Sequence, residues 1–166
     1  MDDGSTDRSL EMIKKMAEHS PEVKFISFSR NFGKEAAIYA GLEAATGDYA
    51  AVMDVDLQDP PSLLPDMLKA IEKEGYDCAG TRRVTRQGEP LLRSFFARAF
   101  YKTIHQISDT RIVDGARDYK LMTRPVLEAL LSLKEYNRFS KGLYEWVGFR
   151  TCLLYTSPSP RDRQKS

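Results

Sequence analysis

The chain has 166 residues, of which 42% are apolar, 30% charged and 10% aromatic, enough for one globular domain burying roughly 68–70% of its unfolded surface. Lys and Arg number 25 against 24 Asp and Glu, a net charge of +1, which argues against nucleic acid as a partner. Two cysteines and two histidines exclude a disulfide framework and a self-contained zinc site, and no apolar run approaches the roughly 18–20 residues of a membrane span. The acidic N-terminus carries no charged-then-apolar leader, so a reducing, cytosol-facing location is the expectation.

Strand-like and helix-like segments alternate along the chain. Leu10, Ile13 and Ala17 repeat at helical spacing between Ser5-Thr6-Asp7 and Ser20-Pro21, which predicts a first helix. Val23 to Phe28 reads as a strand. Asn31 is placed to cap a second helix over Lys34 to Ala45, with Gly47 as its stop. Tyr49 to Met53 is a near-continuous apolar run, as expected of a strand covered on both faces. Pro60-Pro61 opens a third helix carrying Leu63, Leu64, Met67, Leu68 and Ile71, closed by Gly75. A short strand follows at Asp77 to Gly80. This succession predicts an α/β domain with a mainly parallel sheet.

Thr81 to Pro90 is a polar, arginine-bearing loop. Leu92, Phe96, Phe100 and Ile104 recur every four residues, predicting an amphipathic helix over Leu91 to Ile107 whose aromatic stripe is core packing before it is a lipid contact. A strand at Asp118 to Met122, a helix from Pro125 to Leu133 and a short helix over Lys141 to Val147 complete the patterned part. The last fifteen residues, CLLYTSPSPRDRQKS, lack periodicity and read as disordered and foreign, of the kind a translated cloning or sequencing adapter would leave.

The strongest chemical signal is Asp54-Val55-Asp56-Leu57-Gln58-Asp59-Pro60-Pro61 after the apolar strand. Alternate residues of an extended segment share a face, so Asp54, Asp56 and Gln58 can converge. They would do so at the carboxyl end of a strand, where open α/β sheets bind ligands. Two carboxylates and an amide oxygen suit Mg²⁺ or Mn²⁺ and leave coordination positions for a diphosphate. The plainer alternative is a solvated acidic turn, with Asp59 capping the next helix. A second signal is Asp2-Asp3-Gly4-Ser5-Thr6-Asp7, where Asp2 or Asp3 could accept hydrogen bonds from a base or ribose and small residues allow close approach; a capped turn explains it equally. The loop from Arg30 to Lys34 opens the second helix, and its free N–H groups could hold an anion.

Taken together, DDGSTD (2–7), SRNFGKEAAIYAGLEAATGDY (29–49), MDVDLQDPP (53–61), GTRR (80–83), ARDYKLMTR (116–124) and NRFSKGLYEWVGF (137–149) resemble family 2 glycosyltransferases of the GT-A fold. The likeness is greatest to the polyprenyl-phosphate type, such as dolichyl-phosphate mannose synthases and undecaprenyl-phosphate glucosyltransferases. The resemblance implies an inverting enzyme that moves a sugar from a UDP- or GDP-sugar to a polyprenyl phosphate. It assigns Asp2, Asp3, Asp54, Arg82 and Arg93 to the nucleotide sugar, with Arg83 and Arg86 as further phosphate contacts. Asp54, Asp56 and Gln58 would hold Mg²⁺ or Mn²⁺. Asp118 and Arg82 would be catalytic, and Arg138 and Lys141 would face the acceptor phosphate.

Against that family the chain lacks the strand expected before DDGS and the membrane segments expected after Thr151. Residues 1–151 are therefore expected to be an N-terminally truncated catalytic domain, and 152–166 a non-native tail. The parent protein would work at the cytoplasmic face of a membrane, reached through the missing segments, with a homo-oligomer left open. Rival expectations are a family 2 enzyme with a polysaccharide or protein acceptor, a nucleotidyltransferase, and a nucleotide-sugar-binding fragment without turnover.

Overall fold

A computed structural model describes residues 1–56, 59–83, 116–135 and 138–156. The predicted helix over Leu91 to Ile107 lies outside them, as do Gln58, Arg86, Arg93 and residues 157–166. In chain order the described elements are helix α1 (Ser9–His19), helix α2 (Lys34–Glu43), strand β1 (Tyr49–Val52), a 3₁₀ turn (Pro61–Leu63), helix α3 (Leu64–Glu74), strand β2 (Cys78–Arg83), strand β3 (Ala116–Thr123), helix α4 (Arg124–Ser132), helix α5 (Ser140–Trp146) and strand β4 (Thr151–Thr156). None of the described helices is long and apolar enough to cross a membrane.

The four strands form one sheet in the order β1-β3-β2-β4. Strand β3 runs antiparallel to both β1 and β2, and β4 runs parallel to β2. Three of the four described strands share a direction and β3 is reversed among them, a mixed sheet in which β2 and β4 are the parallel pair. The Tyr49↔Thr123 to Val52↔Lys120 register of β1 on β3 is regular. The β2–β3 register shifts between Gly80 and Arg82, an irregularity on the side leading to the functional residues.

Alternation along β3 sorts its side chains onto two faces. Tyr119 and Leu121 pack with Met67, Ile71 and Ala79 under α3. On the opposite face Met122 packs with Leu42, Ala50, Cys78, Val126, Leu127, Leu130 and Tyr144, from α2, α4 and α5. Helices thus cover both faces of the sheet. Each fully buried Met or Leu here stabilises the fold by roughly 1.5–3 kcal/mol relative to exposure.

Helix α3 ends as the sequence demands, with Gly75 at φ 72° in the left-handed region, and α4 carries Pro125 in its first turn. Three expectations need correction. Val23 to Phe28 is not a ladder strand: its one bridge joins Ser27 to Asp2 in parallel, backed by Asp2 N–H to Ile26 O and Phe28 N–H to Asp2 O, too short a partner for a strand. Asn31 does not cap α2, because Gly33 at φ 96° occupies the cap position without a side-chain bond. Residues 152–156 are not patternless. They belong to β4, where Cys152 and Leu154 join the core under α3, and a parallel partner over Cys78–Arg83 satisfies the backbone.

Candidate functional site

The site forms where β1 ends and the antiparallel β3 begins, beside the start of α2. Extending the β1–β3 register past Val52↔Lys120 sets Asp54 across from Asp118. Two carboxylates facing one another repel, and a cation lies between them. The Lys34 ammonium is 2.8 Å from one Asp54 oxygen and 3.0 Å from the other, and 2.5 Å from Asp118 Oδ2. Lys141 Nζ approaches the second Asp118 oxygen at 3.6 Å. Burial opposes the charge on Lys34, but hydrogen bonds to Asp118 and Asp54 outweigh it and raise its pKa above the ordinary lysine value. The cluster is open to solvent, with Lys34 and Asp54 side chains about half exposed.

Local structure explains why these charges meet. Lys34 is the first residue of α2, where the helix dipole disfavours a cation and nearby carboxylates draw it over the strand ends. Its neighbour Glu35 accepts a hydrogen bond from Ser140 N–H at 3.0 Å and a shorter one from the Ser140 hydroxyl. That lock joins the starts of α2 and α5 and sets Lys34 and Lys141 on either side of Asp118. The loop into α2 is held by Asp3, whose carboxylate accepts from Phe32 N–H (2.7 Å) and Gly33 N–H (2.9 Å). A β-carbon on Gly4, at φ 70°, would fall 2.4 Å from the Arg30 carbonyl carbon, so only glycine lets this turn approach the loop.

The sequence-predicted residues divide accordingly. Asp54, Asp118 and Lys141 come together, and Arg82 lies on the same sheet face by alternation from Cys78 and Gly80, its guanidinium 6.0 Å from the Tyr155 ring. Asp56 is exposed just beyond β1. Asp3 is engaged by backbone N–H groups, the internal anion of the loop expected to hold one. Asp2 is buried; its carboxylate accepts from Ser27 Oγ at 2.7 Å and Ser5 N–H at 3.3 Å, and contacts with Ser5 and Ser27 lower its pKa. Arg138 is engaged at the end of α4, donating to the Leu133 and Leu130 carbonyls at 2.5 and 3.1 Å, and stacks 4.7 Å from the Tyr39 ring. Asp59 caps no helix. It is buried against Arg117 (3.1 Å) and Thr81 (3.4 Å). The side chain of Arg83 lies outside the described residues. Sequence reasoning named Lys34 only as part of the anion-holding loop and missed its side chain and Glu35; a lysine opening a helix against its dipole was the available signal.

The donor chemistry fits a divalent ion. Asp54 and Asp56 offer hard carboxylate oxygens, and the Asp54 pair already accepts a cation, the Lys34 ammonium. Among the described residues no group of three or more His, Cys, Asp or Glu side chains is placed to hold a metal ion, and Gln58 lies outside them.

The Glycosyl transferase family 2 model matches residues 1–131. CsbB of Bacillus subtilis (strain 168), named only as a glycosyltransferase, is 47% identical over 93% of this chain and 46% of its own length. A prophage bactoprenol glucosyl transferase homolog of Escherichia coli (strain K12) is 39% identical, over 93% of this chain and 50% of that protein. The bactoprenol glucosyl transferase of Shigella phage SfV is also 39% identical, over 91% and 49%. The chain spans about half the length of these relatives. Its fold is similar to that of the bifunctional IspDF from Campylobacter jejuni, with a TM-score of 0.54 at 11% identity over 87% of this chain and 35% of that one. The family model spans well over half of the chain, and the chain belongs to glycosyl transferase family 2.

Proposed function

We propose that this chain is the catalytic part of an inverting enzyme that transfers a sugar from a nucleotide diphosphate sugar to a polyprenyl phosphate. The observation that carries the reading is the facing of Asp54 and Asp118 across one lysine at the sheet's edge, in a chain similar to proteins named bactoprenol glucosyl transferases. Asp54, Asp56 and Gln58 would hold Mg²⁺ or Mn²⁺. Bound there, the ion would neutralise the diphosphate as the nucleoside diphosphate leaves.

The chain's own groups supply the rest. Arg82, on the same sheet face, offers a guanidinium to the departing phosphates. Asp118 organises the opposite side. A lipid phosphate is already ionised at neutral pH and needs no strong base, so the role of Asp118 is to hold Lys34 and Lys141 where their ammonium groups meet the incoming phosphate. Its own negative charge is offset by those two cations. Attack on the anomeric carbon from the side opposite the diphosphate gives inversion. The parent protein would act at a membrane, and the nucleotide sugar and lipid would be its partners.

The test is radiolabelled sugar transfer to undecaprenyl phosphate by the parent protein, across several UDP- and GDP-sugars. Asp56→Ala should lower transfer by about 10²-fold or more and abolish metal-dependent nucleotide binding with it. Retained transfer in that variant overturns the metal assignment. Transfer to an oligosaccharide in place of the lipid phosphate overturns the acceptor.

A further inference from the structure

Lys34 occupies an unusual place. Its ammonium straddles both oxygens of Asp54, at 2.8 and 3.0 Å, while also bound to Asp118. Asp118 in turn has Lys141 as a second cation, so it keeps a partner when Lys34 shifts. If Asp54 held a divalent ion, it would have only these same two carboxylate oxygens to offer. An ammonium and a dication cannot share one carboxylate edge at contact distance without strong repulsion.

We infer that Lys34 is a resident counter-ion of the metal site. It pins Asp54 and Asp118 together while the site is empty of metal, and it yields Asp54 and moves wholly onto Asp118 when a divalent ion enters. Its long, half-exposed side chain can make that move by rotamer changes alone. The Glu35–Ser140 lock keeps its backbone fixed beside Lys141.

The consequences go beyond metal entry. With metal absent, two like charges at the strand ends stay paired, so the site is preformed rather than splayed. With metal present, the released ammonium lies on the acceptor side, adding positive charge next to Lys141 where a phosphate must approach. Donor loading and acceptor recognition are thereby linked through one side chain, which makes Lys34 a positioning residue. The inference rests on the metal reading of Asp54 and Asp56.

The experiment uses Mn²⁺ alone, titrated into the purified chain by calorimetry and electron paramagnetic resonance, on wild type, Lys34→Met, Lys34→Arg and Asp56→Ala. Removing the competing ammonium should tighten Mn²⁺ binding roughly threefold to tenfold in Lys34→Met, the scale of exposed ion pairs. Lys34→Arg, which keeps the charge, should stay near wild type. Separately, mass spectrometry should find the Lys34 amine of the wild type acetylated faster when Mn²⁺ is present than when it is absent. Circular dichroism of each variant reports folding, and the acetylation arm needs no variant at all.

Unchanged or weaker Mn²⁺ affinity in folded Lys34→Met, or Lys34 acetylation indifferent to Mn²⁺, overturns the counter-ion role. If wild type binds Mn²⁺ and Asp56→Ala does not, the metal reading survives that failure. If wild type and Asp56→Ala are alike in lacking Mn²⁺ binding, the metal reading fails and the counter-ion role falls with it.

Discussion

Arg117 and Asp118 are neighbours on β3, yet their surroundings differ in kind. Arg117 points to the α3 side, where it pairs with Asp59; the two side chains are only 16% and 9% exposed. Asp118, itself only 21% exposed, points the other way, toward the more exposed Lys34 (50%) and Lys141 (32%). One step along a strand reverses the face, and burial then sets the consequence. A buried pair is costly to break because one charge remains stranded, whereas an exposed pair contributes little to stability and is free to exchange partners. The sheet thus separates a buried ion pair from the more exposed one proposed as functional, one residue along the strand.

The largest effect expected from this contrast is on transfer. Asp118→Ala should lower the rate by about 10²–10³-fold while moving stability by less than about 1 kcal/mol, read as initial rates beside a urea melt. A rate near wild type would mean that the open cluster is ornament.

Asp59→Ala should do the reverse. Deleting this buried carboxylate, which accepts from Arg117 and Thr81, should cost about 1–3 kcal/mol, seen as a lower urea midpoint at unchanged slope, with nucleotide binding by the folded fraction retained. If Asp59→Ala melts like wild type, the buried pair is not structural.

Arg138 sharpens the same division. Its hydrogen bonds to two carbonyls at the end of α4 predict that Arg138→Ala loses about 1–2 kcal/mol of stability without raising KM for the lipid phosphate. Lys141→Ala should raise that KM with little loss of stability. The opposite pairing of outcomes would return Arg138 to the acceptor site.

The smallest effect lies at acid pH. Contacts with Ser5 and Ser27 lower the Asp2 pKa, so their stabilisation is complete above the ordinary aspartate value of about 3.9 and fades as pH falls through the lowered one. Ser27→Ala should therefore begin acid unfolding at a higher pH than wild type, followed by circular dichroism. An unchanged acid midpoint would show that this turn does not stitch the N-terminal residues to the loop at Ser27.

Much of the architecture was legible in local pattern. Helical spacing marked α1 and α3, Gly75 marked where α3 stops, the apolar run at Tyr49 marked β1, and Pro125 marked the start of α4, because each of these signals acts within a few residues. The Asp54 motif was visible for the same reason, whereas Asp118 was reached only through the resemblance to a family. Strand β4 was not, since Cys152 and Leu154 become core residues only by pairing with a strand that begins 73 residues earlier, at Cys78↔Thr151. Nor was the function of Lys34, whose partners lie 20 and 84 residues away.

Residue type and short-range order alone therefore determined the resemblance to a family, the α/β succession and the acidic motif at Asp54. Tertiary structure decided which cation reaches them. Lys34, Arg82, Arg117, Arg138 and Lys141 carry the same charge, and only the sheet face, the depth of burial and the nearest helix end distinguish a mobile counter-ion from a buried partner or a cap. Charge is a property of the residue, but the energy of a charge depends on what surrounds it.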